Sequence, residues 1–579
     1  MTTTIKRHKS SSGDALAASK LHPVLKRVYA ARDAKVGELN LSLSAMIPVS
    51  RLDGVGEAVD RLLLAHDKQQ KVLVLGDFDA DGATATAVVM SCLKAYGFEN
   101  ISYLVPDRFK FGYGLSTGIA EVAAEQKPDV MITVDNGISS IDGVARANEL
   151  GMDVVVTDHH LPGEVLPAAT AIVNPNVTTD DFPSKWLSGV GVAFYVMAAL
   201  GKALAGNGSV SADTARSAAA NCLDLVALGT VADLVRLDHN NRVLVSQGLA
   251  RIRAGQTRPG ILALFKVANR KPEKAVSTDL AFGIAPRLNA AGRLEHMSRG
   301  IDCLLAETDA EAKAMASELD GINQKRRELQ DEMQQQADVH LDQLVEQLGS
   351  DSHWGYSLFN SEWHQGVVGL VATKIRDRVK RPAIAFAPAE AGSSELKGSG
   401  RSVKGVHMRD VLADVDARNP GLIDRFGGHA MAAGLSLDAS NLDTFKQAFD
   451  AAVEEKKSSI QDVGVLWSDG ELDPNELNMT LANAIREAGP WGQGFPEPLF
   501  DNRFRVTDKR IVGGSHLKLT LQPEGGYKEI EAIAFNRTEL PRRETGSTDG
   551  LYRVAYKLDV NEFRGRRTAQ LVVEHIQSD

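Results

Sequence analysis

Between residues 71 and 175 the chain repeats one pattern, and that pattern leaves few folds open. Short apolar runs, KVLVL (71–75), ISYLV (101–105), DVMITV (129–134), DVVVT (153–157) and AIV (171–173), alternate with stretches of helical character. Runs that are apolar throughout need cover on both faces, which predicts a parallel sheet flanked by helices. In such sheets ligands gather where strands end at their carboxyl edge. The polar clusters of this region stand there: GDFDADG (76–82), VDNG (134–137) and TDHH (157–160).

DFDADG opens like an EF-hand calcium loop, with ligands at positions 1, 3 and 5 and glycine at 6. Position 12 of that loop must be a bidentate acid, and here it is Val88. An apolar β run also precedes the loop where a helix should, so the calcium reading fails. On a chain that stays extended, Asp79 and Asp81 project to one side and can share ions. Asp135 ends a second strand, Asp158, His159 and His160 end a third, and Asp233 lies in the apolar stretch ALGTVADLV (227–235). Taken singly, an aspartate at a strand end is more often a helix cap or turn former, and paired histidines are often surface residues. Taken together, three strand ends supply metal-ligand types on one edge, where crowded carboxylates are costly without a cation. Oxygen donors with one or two imidazoles suit Mn²⁺ or Mg²⁺ rather than a structural zinc site.

DxD followed by glycine, a strand-end aspartate, D-H-H and a helical aspartate resemble the DHH phosphoesterase superfamily. The rest of the chain narrows the likeness to its branch of single-strand-specific 5′→3′ exonucleases, over nearly the whole length. The resemblance implies that Asp79, Asp81, Asp135, His159, His160 and Asp233 are catalytic ligands of two divalent ions, with Asp77 a further candidate ligand. It makes Asp158 an orienter of a histidine, and leaves His160 open as a hydrogen-bonding partner of the substrate instead. Two such ions clamp a scissile phosphate and hold the attacking hydroxide. Many members carry a histidine four residues before the first DxD aspartate. Here that position is Leu75, so one site loses a ligand, binds less tightly, or relies on Asp77 or water.

Further candidates lie outside the acidic set. KGSGRSVKGVHMRDVL (397–412) and RFGGHAMAAGLSL (425–437) combine small residues with an arginine fork suited to phosphate, though a flexible Gly/Ser loop reads equally well from the residues alone. The resemblance implies that Ser399 and Arg401 hold the substrate's 5′ end and that His429 faces the metal centre across a cleft. VPDRFKFGYG (105–114) mixes Arg108 and Lys110 with Phe109, Phe111 and Tyr113, charge for phosphate and rings for bases. APRLNAAGRLEHMSRG (285–300) offers Arg287, Asn289 and Arg293. By resemblance Arg108 joins the 5′-phosphate pocket, and Arg287 and Gln324 line the path of the strand.

At 579 residues the chain exceeds one core. The expected class is α/β: an N-terminal tail and lead-in (1–45), its start MTTTIKRHKSSSG disordered; a parallel-sheet DHH domain (46–300); a long connecting helix (301–350); a DHH-associated α/β domain (351–457); and an OB-like β-barrel (458–579). HLKLTLQ, KEIEAIAFN, YRVAYKLDV and TAQLVVEHI alternate with period 2, as barrel strands do. The basic tracts RFRVTDKR (503–510) and NEFRGRRTAQ (561–570) suit a phosphate backbone. A net charge of −10 weighs little against this, because an acidic metal site and a basic groove can coexist. No secretory signal and no run of about 18 apolar residues predict a cytoplasmic chain without a membrane span. Cys92, Cys222 and Cys303 form no CxxC pair, which suits a reducing compartment. The resemblance implies a monomer acting on single-stranded DNA in recombination and repair, beside a single-strand-binding protein and a helicase. The rivals are a small-substrate phosphoesterase of the same superfamily, acting on oligonucleotides, cyclic dinucleotides or pyrophosphate, and a non-catalytic DHH-type DNA-binding scaffold. The added β domain disfavours the first, and the filled acidic set disfavours the second.

Overall fold

The computed structural model describes residues 3–8, 16, 19–107, 111, 113–348, 353–363, 365–366, 368–390, 392–428, 430–460, 464–541, 550–563 and 565–578, without the side chains of 333–348 and 563. It divides into two compact units. One comprises Met1–Arg7 with Lys325–Ser468, the other His8–Gln324 with Asp469–Asp579.

The larger unit is built on the expected parallel sheet. Its strands lie in the spatial order Ile101–Leu104, Val72–Leu75, Val130–Val134, Asp153–Thr157, Ala171–Val173. Leu75 pairs with Leu104 on one side and Thr133 on the other. The chain therefore leaves the first strand toward one neighbour and later returns to the other, which makes a topological switch point at its carboxyl end. Every residue of Val72–Leu75 and Val130–Val134 is buried, which explains why these strands read as unbroken apolar runs. Leu73, Leu75, Met131 and Val154 pack on Ile119, Ala123, Val144 and Ala147. Val72, Val74, Ile132 and Val155 face the opposite layer, with Ala83, Ala87 and Val190.

Helix Gly189–Gly206 belongs to that layer and corrects the expectation of no membrane-length apolar segment. It is long and apolar enough to cross a bilayer by length and composition. Here it is a core helix: Tyr96 Oη donates to Met197 O at 3.0 Å, and a Cβ on Gly201 would fall 2.5 Å from that hydroxyl. Helix Ala80–Ala95 also packs on Leu223–Ala232, where Cys92 Sγ and Cys222 Sγ lie 3.9 Å apart in the core.

The same unit carries a closed five-stranded barrel in the order Phe500–Val512, His516–Pro523, Ile530–Ala534, Arg566–Ser578, Leu551–Phe563. Alternation in His516–Pro523 turns Leu517, Leu519 and Leu521 inward. Two buried cations join the barrel segment to the sheet portion. Arg32 grips Asp469 with Nη1–Oδ1 at 2.8 Å and Nη2–Oδ2 at 3.1 Å, the two side chains being 4% and 2% exposed. The Arg242 guanidinium, also buried, lies 3.9 Å from the centre of the Phe495 ring.

In the smaller unit a mixed sheet runs Arg425–Gly428, Ala432–Asp438, Glu395–Arg401, Ala383–Pro388, Tyr356–Phe359, with only the last pair parallel. Helices Val368–Val379, Met408–Arg418 and Leu442–Glu455 accompany it. The N-terminal run expected to be disordered instead contributes a strand, Thr4–Arg7, parallel to Val465–Ser468. Ile5 is buried there, which gives the strand an apolar anchor. Val465–Ser468 thus groups with this unit and not with the barrel. The long helix spans Asp309–Leu348 as one element, and the division between units falls within it.

The Arg32–Asp469 pair yields a stability prediction. Asp469→Ala strands a buried guanidinium and removes the acceptor of Leu499 N. Loss of one partner of a buried ion pair costs about 3–5 kcal/mol. Denaturant unfolding should show that loss, whereas Asp181→Ala, which breaks the exposed pair with Arg51, should shift stability by less than about 1 kcal/mol. Equal effects would contradict the assignment.

Candidate metal centre

The chain does not stay extended through the DxD. Asp79 is the N-cap of helix Ala80–Ala95, its Oδ1 accepting from Asp81 N at 2.9 Å and Gly82 N at 3.0 Å. Free N–H groups at a helix start draw in a carboxylate, so Asp81 falls in the first helical turn, not two residues along a strand. Its carboxylate meets a second helix start: Oδ2 accepts from Gly189 N at 2.7 Å and Oδ1 from Val190 N at 3.0 Å. The positive end of helix Gly189–Gly206 therefore faces Asp81.

Asp135 follows the third strand in the left-handed region, φ +63°, with its N–H held by Thr157 O at 2.9 Å. Asn136 braces the turn by donating Nδ2 to Val134 O at 2.9 Å. Asp158 organises the two histidines. Its Oδ1 accepts from His159 N at 2.7 Å and His160 N at 3.1 Å and lies 2.8 Å from His160 Nδ1, while Oδ2 accepts from Ile138 N at 2.9 Å. Asn176 Nδ2 donates to His159 O and Asn174 Nδ2 to His160 O, at 2.6 and 2.9 Å. His159 Nε2 then stands 3.1 Å from Asp135 Oδ1 and 3.5 Å from Asp233 Oδ2. Asp233 is the C-cap of helix Leu223–Ala232. Tyr113 Oη donates to Asp135 O at 2.9 Å and lies 3.2 Å from His160 Nδ1.

Three donor groups result, each with its ligand atoms within 4.8 Å of one another: Asp135, His159 and His160; Asp81, His159 and Asp233; Asp77, Asp79 and Asp135. Together they contain all seven predicted ligands, and Asp135 and His159 are each shared by two groups. Leu75 adds nothing to them, because its side chain is buried in the apolar cluster beneath the sheet.

The electrostatics fit a cation. Burial, with Asp79 alongside, holds Asp77 well above the ordinary carboxylate range. Burial and then Asp81 do the same to Asp135 and Asp233. Asp81 is pushed up to about 7 by burial and by Asp79, against the pull of the two helix N–H groups. Among the described residues, buried Asp77 Oδ1 accepts no hydrogen bond. An all-oxygen and imidazole donor set with an unsatisfied buried carboxylate oxygen matches a hard divalent ion. Asp158 behaves oppositely. Burial alone would raise it, but its hydrogen bond with His160 keeps it low; burial alone would lower His160, and the same contact keeps that imidazole raised.

The remaining candidates are scattered. Arg287 is buried, its Nη1 donating to Gly283 O and its Nη2 lying 2.7 Å from Asp320 Oδ1. Asn289 Oδ1 accepts from Ala80 N at 2.8 Å, between the two DxD aspartates. Gln324 is exposed on the long helix. In the smaller unit Arg401 Nη1 donates to Ser399 Oγ at 2.9 Å and Gly400 O at 2.8 Å. A Cβ on Gly369 would fall 2.8 Å from Arg401 Nη2, so glycine leaves that guanidinium its space. Arg108 and His429 lie outside the described residues.

Sequence reasoning missed the supports: the N–H groups of Gly189 and Val190, and the room left by two glycines. A Cβ on Gly189 would fall 2.4 Å from Asp135 Oδ1, and one on Gly229 would fall 2.7 Å from Asp81 Oδ1. The small-residue string SGVGVA (188–193) was the available signal.

A strand-end acidic centre at the switch point of a parallel sheet places the chain in the DHH class. Residues 71–230 match the model of the DHH family, N-terminal domain, residues 351–455 the DHHA1 domain, and residues 468–575 the RecJ OB domain. The chain belongs to the RecJ family. It is 49% identical to the single-stranded-DNA-specific exonuclease RecJ of Dickeya dadantii, over 96% of each chain. It is 48% identical to that of Salmonella typhimurium, over 98% of each. The crystal structure of RecJ in complex with Mn²⁺ from Thermus thermophilus superposes with a TM-score of 0.77 at 28% identity, covering 98% of this chain and 77% of that one.

Gly189→Ala should disturb the centre without unfolding the protein, since the residue is helical and only its Cβ intrudes. Titration with Mn²⁺ followed by electron paramagnetic resonance should show affinity weakened roughly 10–100-fold, the range for a displaced support of a ligand. Gly56→Ala, with nothing within 4 Å of its Cβ, should bind as the unaltered chain does.

Proposed function

We propose that the chain is a metal-dependent exonuclease that degrades single-stranded DNA from the 5′ end. The observation that carries the reading is the convergence of Asp77, Asp79, Asp81, Asp135, His159, His160 and Asp233 from several strand ends and one helix end into shared donor groups. Mn²⁺ or Mg²⁺, two ions in number, would supply Lewis acidity to the scissile phosphodiester and an acidified water as nucleophile. Asp79, Asp81, Asp135, His159 and Asp233 would hold the ions, with Asp77 as a further candidate ligand. Asp158 fixes the direction of the His160 imidazole through its Oδ1–Nδ1 contact of 2.8 Å, so His160 stands beside the ligands either as a further donor to an ion or as a hydrogen-bonding partner of the phosphate. Tyr113, half exposed beside His160, offers its ring to a terminal base. Ser399 and Arg401 take the 5′-phosphate, as a planar guanidinium fork is suited to do. The barrel holds the strand beyond the site. The same family likeness supports reading the protein as a cytoplasmic monomer of DNA recombination and repair, beside a helicase and a single-strand-binding protein.

Digestion of 5′- and 3′-labelled single strands with Mn²⁺ or Mg²⁺ tests the reading. Label should leave first from the 5′ end. Asp135→Ala should slow release by more than the roughly 10–100-fold that loss of an outer partner of a metal ligand costs. Release from the 3′ end first, or undiminished activity of the variant, would overturn it.

A pH prediction follows from the raised carboxylates. In the metal-free fold Asp81 keeps its proton up to about 7, whereas the unfolded chain releases it near pH 4. The associated stability is whole below that lower value and is lost as pH rises toward about 7. Metal binding must displace these protons. The increase in melting temperature brought by Mn²⁺, relative to EDTA, should therefore be small near pH 5 and grow through pH 7. A metal increment independent of pH would contradict this account.

A further inference from the structure

All three cysteines are buried, and two of them lie together. Cys92 Sγ and Cys222 Sγ are 3.9 Å apart across 130 residues of chain. Buried cysteines are ordinary core residues, so burial alone says little. Three further features single this pair out.

The first is the charge held against one sulfur. Arg258 is fixed in place, its Nε 3.1 Å from Asp224 Oδ2 and its Nη2 3.1 Å from both Asp224 Oδ1 and Asn221 O. Its guanidinium also interacts with the Cys222 thiol. Cys222 is moreover the N-cap of helix Leu223–Ala232, where backbone N–H groups favour a thiolate. The contact with Cys92, and then Arg258, hold the Cys222 thiol below its ordinary range against burial, while the same contact and burial push Cys92 up. Cys303 is the contrasting case: burial, with Asp302 alongside, pushes it up to about 12. The second feature is access. An open depression of about 710 Å³ is lined in part by Asn221 and Arg258. Solvent thus reaches the two residues that flank Cys222, one along the chain and one in space. The third is leverage. Cys92 lies on helix Ala80–Ala95, which Asp79 caps and whose first turn holds Asp81; Asp233 caps the other end of the Cys222 helix. Each cysteine is eleven residues from a ligand, Asp81 or Asp233, or about 16 Å of helix. Between those ends the two helices touch: a Cβ on Gly229 would fall 2.2 Å from Thr84 Oγ1 and 2.7 Å from Asp81 Oδ1.

We propose that Cys92 and Cys222 are a redox site whose reversible disulfide, formed by a peroxide, loosens the metal centre. The proposal rests on the metal-centre reading above. The Cys222 thiolate attacks one peroxide oxygen, the O–O bond breaks and hydroxide leaves, giving a sulfenic acid. The Cys92 sulfur then attacks that sulfur, the S–O bond breaks, and the Cys92 proton leaves with the hydroxyl as water. In sum two thiols lose two electrons and two protons, and one peroxide becomes two waters. A dithiol reverses the bond by exchange. Disulfides in reducing compartments are chiefly transient ones of this kind. Bonded sulfurs stand about 2 Å apart, so closing the pair draws the far ends of both helices together. The contact at Gly229 is the pivot, and Asp81 and Asp233 shift on its other side.

The test treats the fully reduced protein with hydrogen peroxide and then removes the excess with catalase. Peptide mapping by mass spectrometry should find Cys92 joined to Cys222 and Cys303 free. Titration with Mn²⁺ followed by electron paramagnetic resonance should show affinity weakened roughly tenfold, the lower end of the range for a displaced support of a ligand. Dithiothreitol should restore it. Cys92→Ala and Cys222→Ala should each lose the response to peroxide, and Cys303→Ala should keep it. Absence of the linked peptide, a linked protein that holds Mn²⁺ as tightly as the reduced one, or a response that survives in Cys92→Ala or Cys222→Ala would overturn the proposal. Failure of the metal-centre reading is distinct: the reduced, unaltered protein would then bind no Mn²⁺, before any oxidant is added.

Discussion

Six aspartates crowded beneath a protein surface repel one another, and the architecture around the centre answers that repulsion. Asp79 is met by the N–H groups of its own helix, and Asp81 by those of Gly189 and Val190. Asp158 is met by three backbone N–H groups and an imidazole. Asp77, Asp135 and Asp233 receive less and remain well above the usual carboxylate range. Carboxylates crowded and held in this way are the condition a divalent ion satisfies. The parallel sheet matters because its switch point brings the ends of Val72–Leu75 and Val130–Val134 side by side with helix starts nearby.

Much of this was legible in the sequence because it is written locally. Strand runs buried on both faces carry their own signature, and ligand-type residues at their ends stand out against apolar neighbours. The geometry inside the DxD was not legible. Alternate spacing suggests an extended chain, but Asp79 prefers to cap a helix, and the helix start moves Asp81 through its first turn. Support from Gly189 and Gly229 was hidden for another reason. A glycine's role is to be absent from a particular space, and only the fold shows whose space that is. Long-range pairing was equally silent: Thr4–Arg7 finds its partner in Val465–Ser468, and nothing near either strand names the other.

Charged and polar candidates show local contacts that the sequence does not announce. Arg287 is offered as lining the strand's path by family resemblance, and Asn289 stands in the same string. In the structure Arg287 is buried and holds the turn before its helix, and Asn289 holds the backbone between two ligands. Phe282, inside the apolar run LAFGIA (280–285), is 70% exposed on its π turn.

These cases share a cause. The ligands are contributed by strand and helix ends, which are local features, whereas their accuracy of placement depends on contacts across long sequence separations: 81 with 189, 80 with 289, 135 with 159. A metal centre assembled this way inherits the rigidity of the helices packed around it. Gly229 and Gly189 sit on two different helices and make room for two different aspartates, so a small shift of either helix would alter the separation between carboxylates. Dense packing of that layer, with Tyr96 wedged against Gly201 and Cys92 against Cys222, is therefore a requirement of the chemistry as well as of stability.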